Sequence, residues 1–236
     1  MTSSTNVLRN VIRSVQRCAV AATAALFVLA GLALFWGAIL AAAALNPGYS
    51  HRRDYVSALA AHGAEHSSLG VVGIAAVGGA MFAAGALVRP LSRTAGYAIA
   101  LAGIGFLVVS VTRLDCSNGA ARCGLGGRFE VSGSTEITHW TAATFSTTML
   151  IAGVSLTGIT LLRNRHTLPG LITLAAGAAT AGAFLATGGQ TPGEEQRVGI
   201  VVATCWLAAV AFATLTRGSP RPREWTPHGI TSRPDA

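Results

Sequence analysis

Apolar residues gather into six runs along the chain, residues 19–45, 69–88, 95–112, 140–162, 168–187 and 198–215, and none of these holds an Asp, Glu, Lys, Arg or His. Each run is close to the ~20 residues that a helix needs to cross ~30 Å of hydrocarbon. An open sheet is excluded there, because lipid cannot satisfy its backbone edges. The pattern therefore predicts an all-α, polytopic membrane protein: a bundle of six transmembrane helices over residues 19–215. The third and sixth runs are shorter, and their ends are expected to reach into the interface. The first run spans 27 residues, longer than the roughly 7–15 apolar residues of a signal peptide, so it is read as a span and not as a cleaved leader.

The flanks differ in kind. Val7, Leu8, Val11, Ile12 and Val15 recur at helical spacing, and Arg9, Arg13 and Arg17 fall every four residues on another face. Ser3, Ser4 and Thr5 are candidate caps. Residues 1–18 thus read as a basic amphipathic segment on the inner leaflet, with a frayed tail that only supplies charge as the alternative. Residues 216–236 are rich in Pro and Arg without apolar periodicity, the mark of a disordered basic cytoplasmic tail.

Composition agrees with the pattern. Only 11% of the 236 residues are charged, against about 25% in soluble domains. The net charge of +8 comes from 17 Arg and no Lys. These Arg lie in short segments between apolar runs, which fits orientation on an anionic leaflet and excludes a nucleic-acid-binding face. The N-terminal segment, the second and fourth connections and the C-terminal tail hold 11 Arg, with Glu224 and Asp235 as their only acids. The other three connections hold six Arg and Asp54, Glu65, Asp115, Glu130, Glu136, Glu194 and Glu195. The positive-inside rule then predicts both termini in the cytoplasm of a multi-pass plasma-membrane protein, with residues 46–68, 113–139 and 188–197 outside.

Glycines such as Gly78, Gly85, Gly103, Gly153 and Gly158 lie within the runs. They predict close helix packing, which drives association in lipid. Thr141, Thr144, Thr148 and Ser155 share a face of the fourth helix, and Thr173, Thr180 and Thr187 a face of the fifth. Interhelical hydrogen bonding is the ordinary meaning of such faces, and a polar pathway the other.

Candidate chemistry sits in the outer connections, above all in residues 46–68, NPGYSHRRDYVSALAAHGAEHSS. Asp54 and Ser57 either cap the turn entering a short helix or, with His139, form an Asp/Ser/His cluster at the mouth of the bundle. Arg52 and Arg53 could hold a phosphate or reach to headgroups. Arg113 and Asp115 suit an ion pair or a headgroup clamp. His62, Glu65 and His66 spell H-x-x-E-H, a zinc-peptidase spacing, but Gly63 disfavours the rigid helix that it needs. Metal is therefore the weak alternative for His62 and His66. Cys116 and Cys123 share one exported, Gly-rich connection and are expected to form a disulfide. No P-loop, dinucleotide fingerprint, haem motif or kinase set is present, so no cofactor is expected.

A long first helix ending in NPGYSHRRDYVSALAAHG, then a Gly-rich second helix, resembles the family named domain of unknown function 998 (DUF998). Tyr49 or Tyr55, Asp54, Ser57 and Leu59 fit its pattern ahead of the second helix. Asp115 and His139 match a polar end to helix 3 and a His opening helix 4. The resemblance covers about residues 19–215. It implies a six-helix integral membrane architecture and no particular activity. The expectation is a non-catalytic protein of the bacterial cell envelope that contacts membrane lipids, or another envelope protein, through its outer loops. A membrane-embedded hydrolase or lipid-modifying enzyme is the alternative, and a small-molecule permease the third reading.

Overall fold

The computed structural model describes residues 2–114, 133–187 and 189–217, with side chains of the first helix from Ile12 onward. Six long helices account for almost all of it: α1 (Thr2–Ala44), α2 (Ser67–Val88), α3 (Arg93–Val111), α4 (Ser134–Arg163), α5 (Thr167–Ala186) and α6 (Pro192–Arg217). All six are long and apolar enough to span a membrane. A short 3₁₀ helix, Val56–Ala60, lies between α1 and α2. Among the described residues there is no strand. α1 is one continuous helix of 43 residues. At about 1.5 Å per residue it runs for about 65 Å, so its N-terminal part projects well past the bundle.

Each helix packs against the next in sequence, and α1 closes the ring on α6. Small residues set the seams. A Cβ on Gly103 would stand 2.6 Å from the Phe82 backbone nitrogen, so α2 and α3 touch backbone to backbone. A Cβ on Gly158 would stand 2.8 Å from Leu174, which brings α4 and α5 together near their connection. The core is built from Val28, Leu32, Phe35, Ile39, Met81, Ile99, Leu150 and Leu207. α5 buries only Gly170, Thr173, Gly177 and Thr180 and turns Leu168, Leu171, Ile172 and Leu185 outward. Such a surface aggregates in water and suits lipid.

The connection from α1 to α2 is half core, not a wholly polar surface loop. Val56, Ser57, Ala58, Leu59 and Ala60 are all buried, and Leu59 is 1% exposed. The apolar stretch YVSALAA is too short to span, so it enters the bundle end as a plug. Gly70 admits it, since a Cβ there would lie 2.6 Å from Leu59 backbone atoms.

The threonine faces are mostly self-satisfied. Thr148, Thr157 and Thr180 hydroxyls donate to carbonyls four residues back in their own helices. Tryptophans make bonds between helices: Trp206 Nε1 donates to Thr173 Oγ1 at 3.3 Å, and Trp36 Nε1 to Thr204 Oγ1 at 3.2 Å.

Candidate functional site

Beneath the plug the ring of helices encloses a cavity of about 290 Å³, to which all six helices and the plug contribute. Tyr55, Ser57, His139, Trp140, Thr187 and Gln196 surround its plug end. Phe35, Val77, Met81 and Leu150 lie farther from the plug, with Thr147 and Thr204. From His139 to Leu150, α4 rises by roughly 16 Å; over that depth the polar lining passes from the plug groups to threonines, Thr144, Thr147, Thr180 and Thr204, the last two of which donate to carbonyls of their own helices. Among the described residues no Asp, Glu, Lys or Arg lines the cavity.

The plug is stitched down on two sides. On the α3 side, Arg113 Nε donates to Ala60 O at 2.7 Å, and Nη2 donates to Ala61 O at 3.1 Å and Ser67 Oγ at 2.7 Å. His62 N–H adds a bond to Leu114 O at 2.8 Å. On the α6 side, Arg197 Nη1 donates to His51 O at 2.5 Å and Asp54 O at 3.1 Å, and Nη2 to the Tyr49 hydroxyl. Its guanidinium also lies 5.3 Å from the Tyr49 ring centre. Val56 N–H donates to Gln196 Oε1 at 2.7 Å, and Tyr55 OH to Thr187 O at 3.1 Å. Burial pushes the Tyr49 hydroxyl up to about 12 despite the adjacent Arg197 charge. Burial also raises Tyr55, with Glu195 adding to it.

Arg197 and Gln196 are the residues that sequence reasoning passed over. The apolar run was started at Val198, whereas α6 begins at Pro192. The signal was present: a proline at the first helical position, then Glu194 and Glu195 in the first turn, is a helix start. Read that way, Gln196 and Arg197 fall on the second turn, facing the plug. Gly193 lets this end approach closely, with its N–H donating to Arg52 O at 3.0 Å.

His139 lies in the second turn of α4 and is 2% exposed. Its Nδ1 is 2.5 Å from Thr112 O, at the C-terminus of α3 where helical carbonyls lack partners. A carbonyl only accepts, so Nδ1 carries the proton. Ser57 lines the same cavity. Asp54 does not. Its carboxylate turns back and accepts from Ser50 N–H at 2.7 Å, closing the turn 50–54. Nor does Asp54 cap the 3₁₀ helix, whose start at Tyr55 has no side-chain cap.

The remaining candidates are dispersed. Arg52 Nε lies 3.5 Å from Glu194 Oε2, and both side chains are exposed, a pairing worth at most about 1 kcal/mol. Arg53 is exposed. His62 and His66 are exposed and fall in turns, with Gly63 and His66 at positive φ (81° and 53°). The helical stacking that H-x-x-E-H requires is therefore not formed. Among the described residues no three His, Cys, Asp or Glu side chains gather as a metal site. Asp115, Cys116 and Cys123, with the expected disulfide, lie outside the described residues, as does the tail from residue 218.

Six apolar spans in a ring order, closed at one end by a plug, define a polytopic helical membrane protein. Residues 13–213 match the family model described as "Protein of unknown function (DUF998)". The chain belongs to that family. No curated protein and no solved structure matches it significantly.

Proposed function

We propose that this is a non-catalytic, multi-pass protein of the bacterial plasma membrane that binds a membrane-derived small molecule at its outer end. Both termini are cytoplasmic, and residues 46–68 form the outer roof. The observation that carries this reading is the cavity: mostly apolar, without an Asp, Glu, Lys or Arg among its described lining residues, and ringed at the plug by a few hydrogen-bonding groups. That is the usual character of a small-molecule site. The 11 Arg on the connections at the termini end support the orientation.

The hydrolase alternative needs an acid to orient His139. Thr112 O occupies Nδ1, and the Asp54 carboxylate is spent on Ser50, which favours the non-catalytic reading. A permease needs a polar path, and the self-bonded Thr180 and Thr204 hydroxyls speak against one. Two measurements test the proposal. A membrane-impermeant thiol reagent should label Arg52→Cys in intact cells, in a background without other reactive cysteines. Solvent extraction of the purified protein should release a near-stoichiometric small molecule that Ala143→Trp, which fills the cavity, no longer retains. Labelling only after lysis, or equal yields from both proteins, refutes the corresponding half.

A further inference from the structure

The geometry points to a ligand class and a way in: a single-chain lipid with an uncharged head, reaching the cavity sideways between α4 and α5. This inference rests on the ligand-binding reading above and narrows it.

Size comes first. A cavity of about 290 Å³ lies at the small end of the roughly 300–1,000 Å³ of small-molecule sites. One medium hydrocarbon chain fits, and a two-chain phospholipid does not. Depth sets the direction, because Ser57, His139 and Gln196 stand at the plug, and Phe35, Met81 and Leu150 lie deeper beside Thr147 and Thr204. The head lies under the plug, and the chain points toward the membrane centre.

The polar groups select the head. His139 donates through Nδ1 to Thr112 O and lines the cavity with the rest of its ring. Gln196 accepts from Val56 N–H through Oε1 and so offers its NH₂ as a donor. Ser57 supplies a hydroxyl on the same wall. A donor and an acceptor together suit a hydroxyl beside an ester carbonyl. With no Lys or Arg lining the site among the described residues, a phosphate or carboxylate there would lose its hydration without a counter-charge.

The route follows from where the helices touch. The plug closes the end through Arg113 on one side and Arg197 and Gln196 on the other. α4 and α5 make their close approaches in the half nearer their connection, at Gly158 and Leu174 and at Ser155 and Gly177. In the other half, α5 leans on α6 through Gly199 and on the plug through Thr187. Thr144 lines the cavity and is nevertheless exposed, while Trp140 and Phe184 are half-exposed. The cavity is therefore open to the lipid side along this gap.

The test uses the whole protein in phosphatidylcholine nanodiscs, titrated with a monoacylglycerol brominated along its chain. Trp140 lines the cavity, so saturable quenching of tryptophan fluorescence is expected. Brominated phosphatidylcholine at equal bromine content should quench only in proportion to its bulk fraction. Ala143→Trp should weaken the saturable phase at least tenfold. Leu185→Trp, on the exposed face of α5, should leave it unchanged. Thr144→Trp, at the gap, should slow its onset without removing the plateau. Saturable quenching by the phospholipid or a brominated fatty-acid anion instead, still sensitive to Ala143→Trp, overturns the proposed head class and spares the cavity's binding role. No saturable phase with any probe overturns both. An unaltered rate in Thr144→Trp overturns the lateral route.

Discussion

Removing Arg197 should free the plug. In Arg197→Met the aliphatic stem remains, but His51 O, Asp54 O and the Tyr49 hydroxyl lose their donor. A hydrogen bond to a charged group contributes about 1.5–3 kcal/mol when well buried. Arg197 is only half-buried, so water replaces part of each bond, and three bonds on one group are not additive. The expected total is about 3 kcal/mol. Local opening of the plug should then become roughly 100-fold more frequent, at about tenfold per 1.4 kcal/mol. Hydrogen exchange of a peptide covering residues 55–61, measured in detergent by mass spectrometry, reads this directly. The melting temperature should fall by roughly 6–12 °C for a chain of this size. Arg197→Lys keeps the charge but loses the planar fork, and should recover only part of the protection. Exchange within about threefold of wild type in Arg197→Met would refute the latch.

Further outcomes follow from other contacts. Tyr49 is held protonated by burial, with its folded value near 12 against the ordinary 10.0. Its contribution to stability is complete below pH 10 and lost as the pH climbs from 10 toward 12. Melting curves of wild type should therefore fall over that window, more steeply than those of Tyr49→Phe. Gly103→Ala pushes a methyl against the Phe82 backbone and should cost about 1–3 kcal/mol, while Gly182→Ala, with nothing within 4 Å, should be neutral or slightly stabilising in the same assay. Asp54→Ala leaves Ser50 N–H without its acceptor and should cost about 1 kcal/mol. It should leave the retained small molecule in place, an outcome opposite to that of an Asp acting on a substrate.

The helices were legible because lipid imposes a single rule: bury every backbone polar group within the segment. Charge-free runs of near-spanning length follow from it, and the family resemblance rested on the same layout. The cavity was not legible, because no motif encodes it. Ser57 and His139 were singled out and do share it, yet Asp54, three residues from Ser57, bonds to Ser50 on the other side of the turn. Spacing along a loop does not say which way a carboxylate turns. The plug was missed for a related reason: YVSALAA carries no charge, but flanking His and Arg made the whole connection look like surface. Gln196 and Arg197 were obscured by a boundary drawn where charge stops instead of where the helix starts.

The most direct measurement is an experimental density map of the protein in native-lipid nanodiscs. The account predicts residues 55–61 seated within the bundle end, and elongated density with its head between His139 and Gln196 and its tail toward Leu150. A plug lying outside the helices, or a cavity collapsed onto its own side chains, would contradict it.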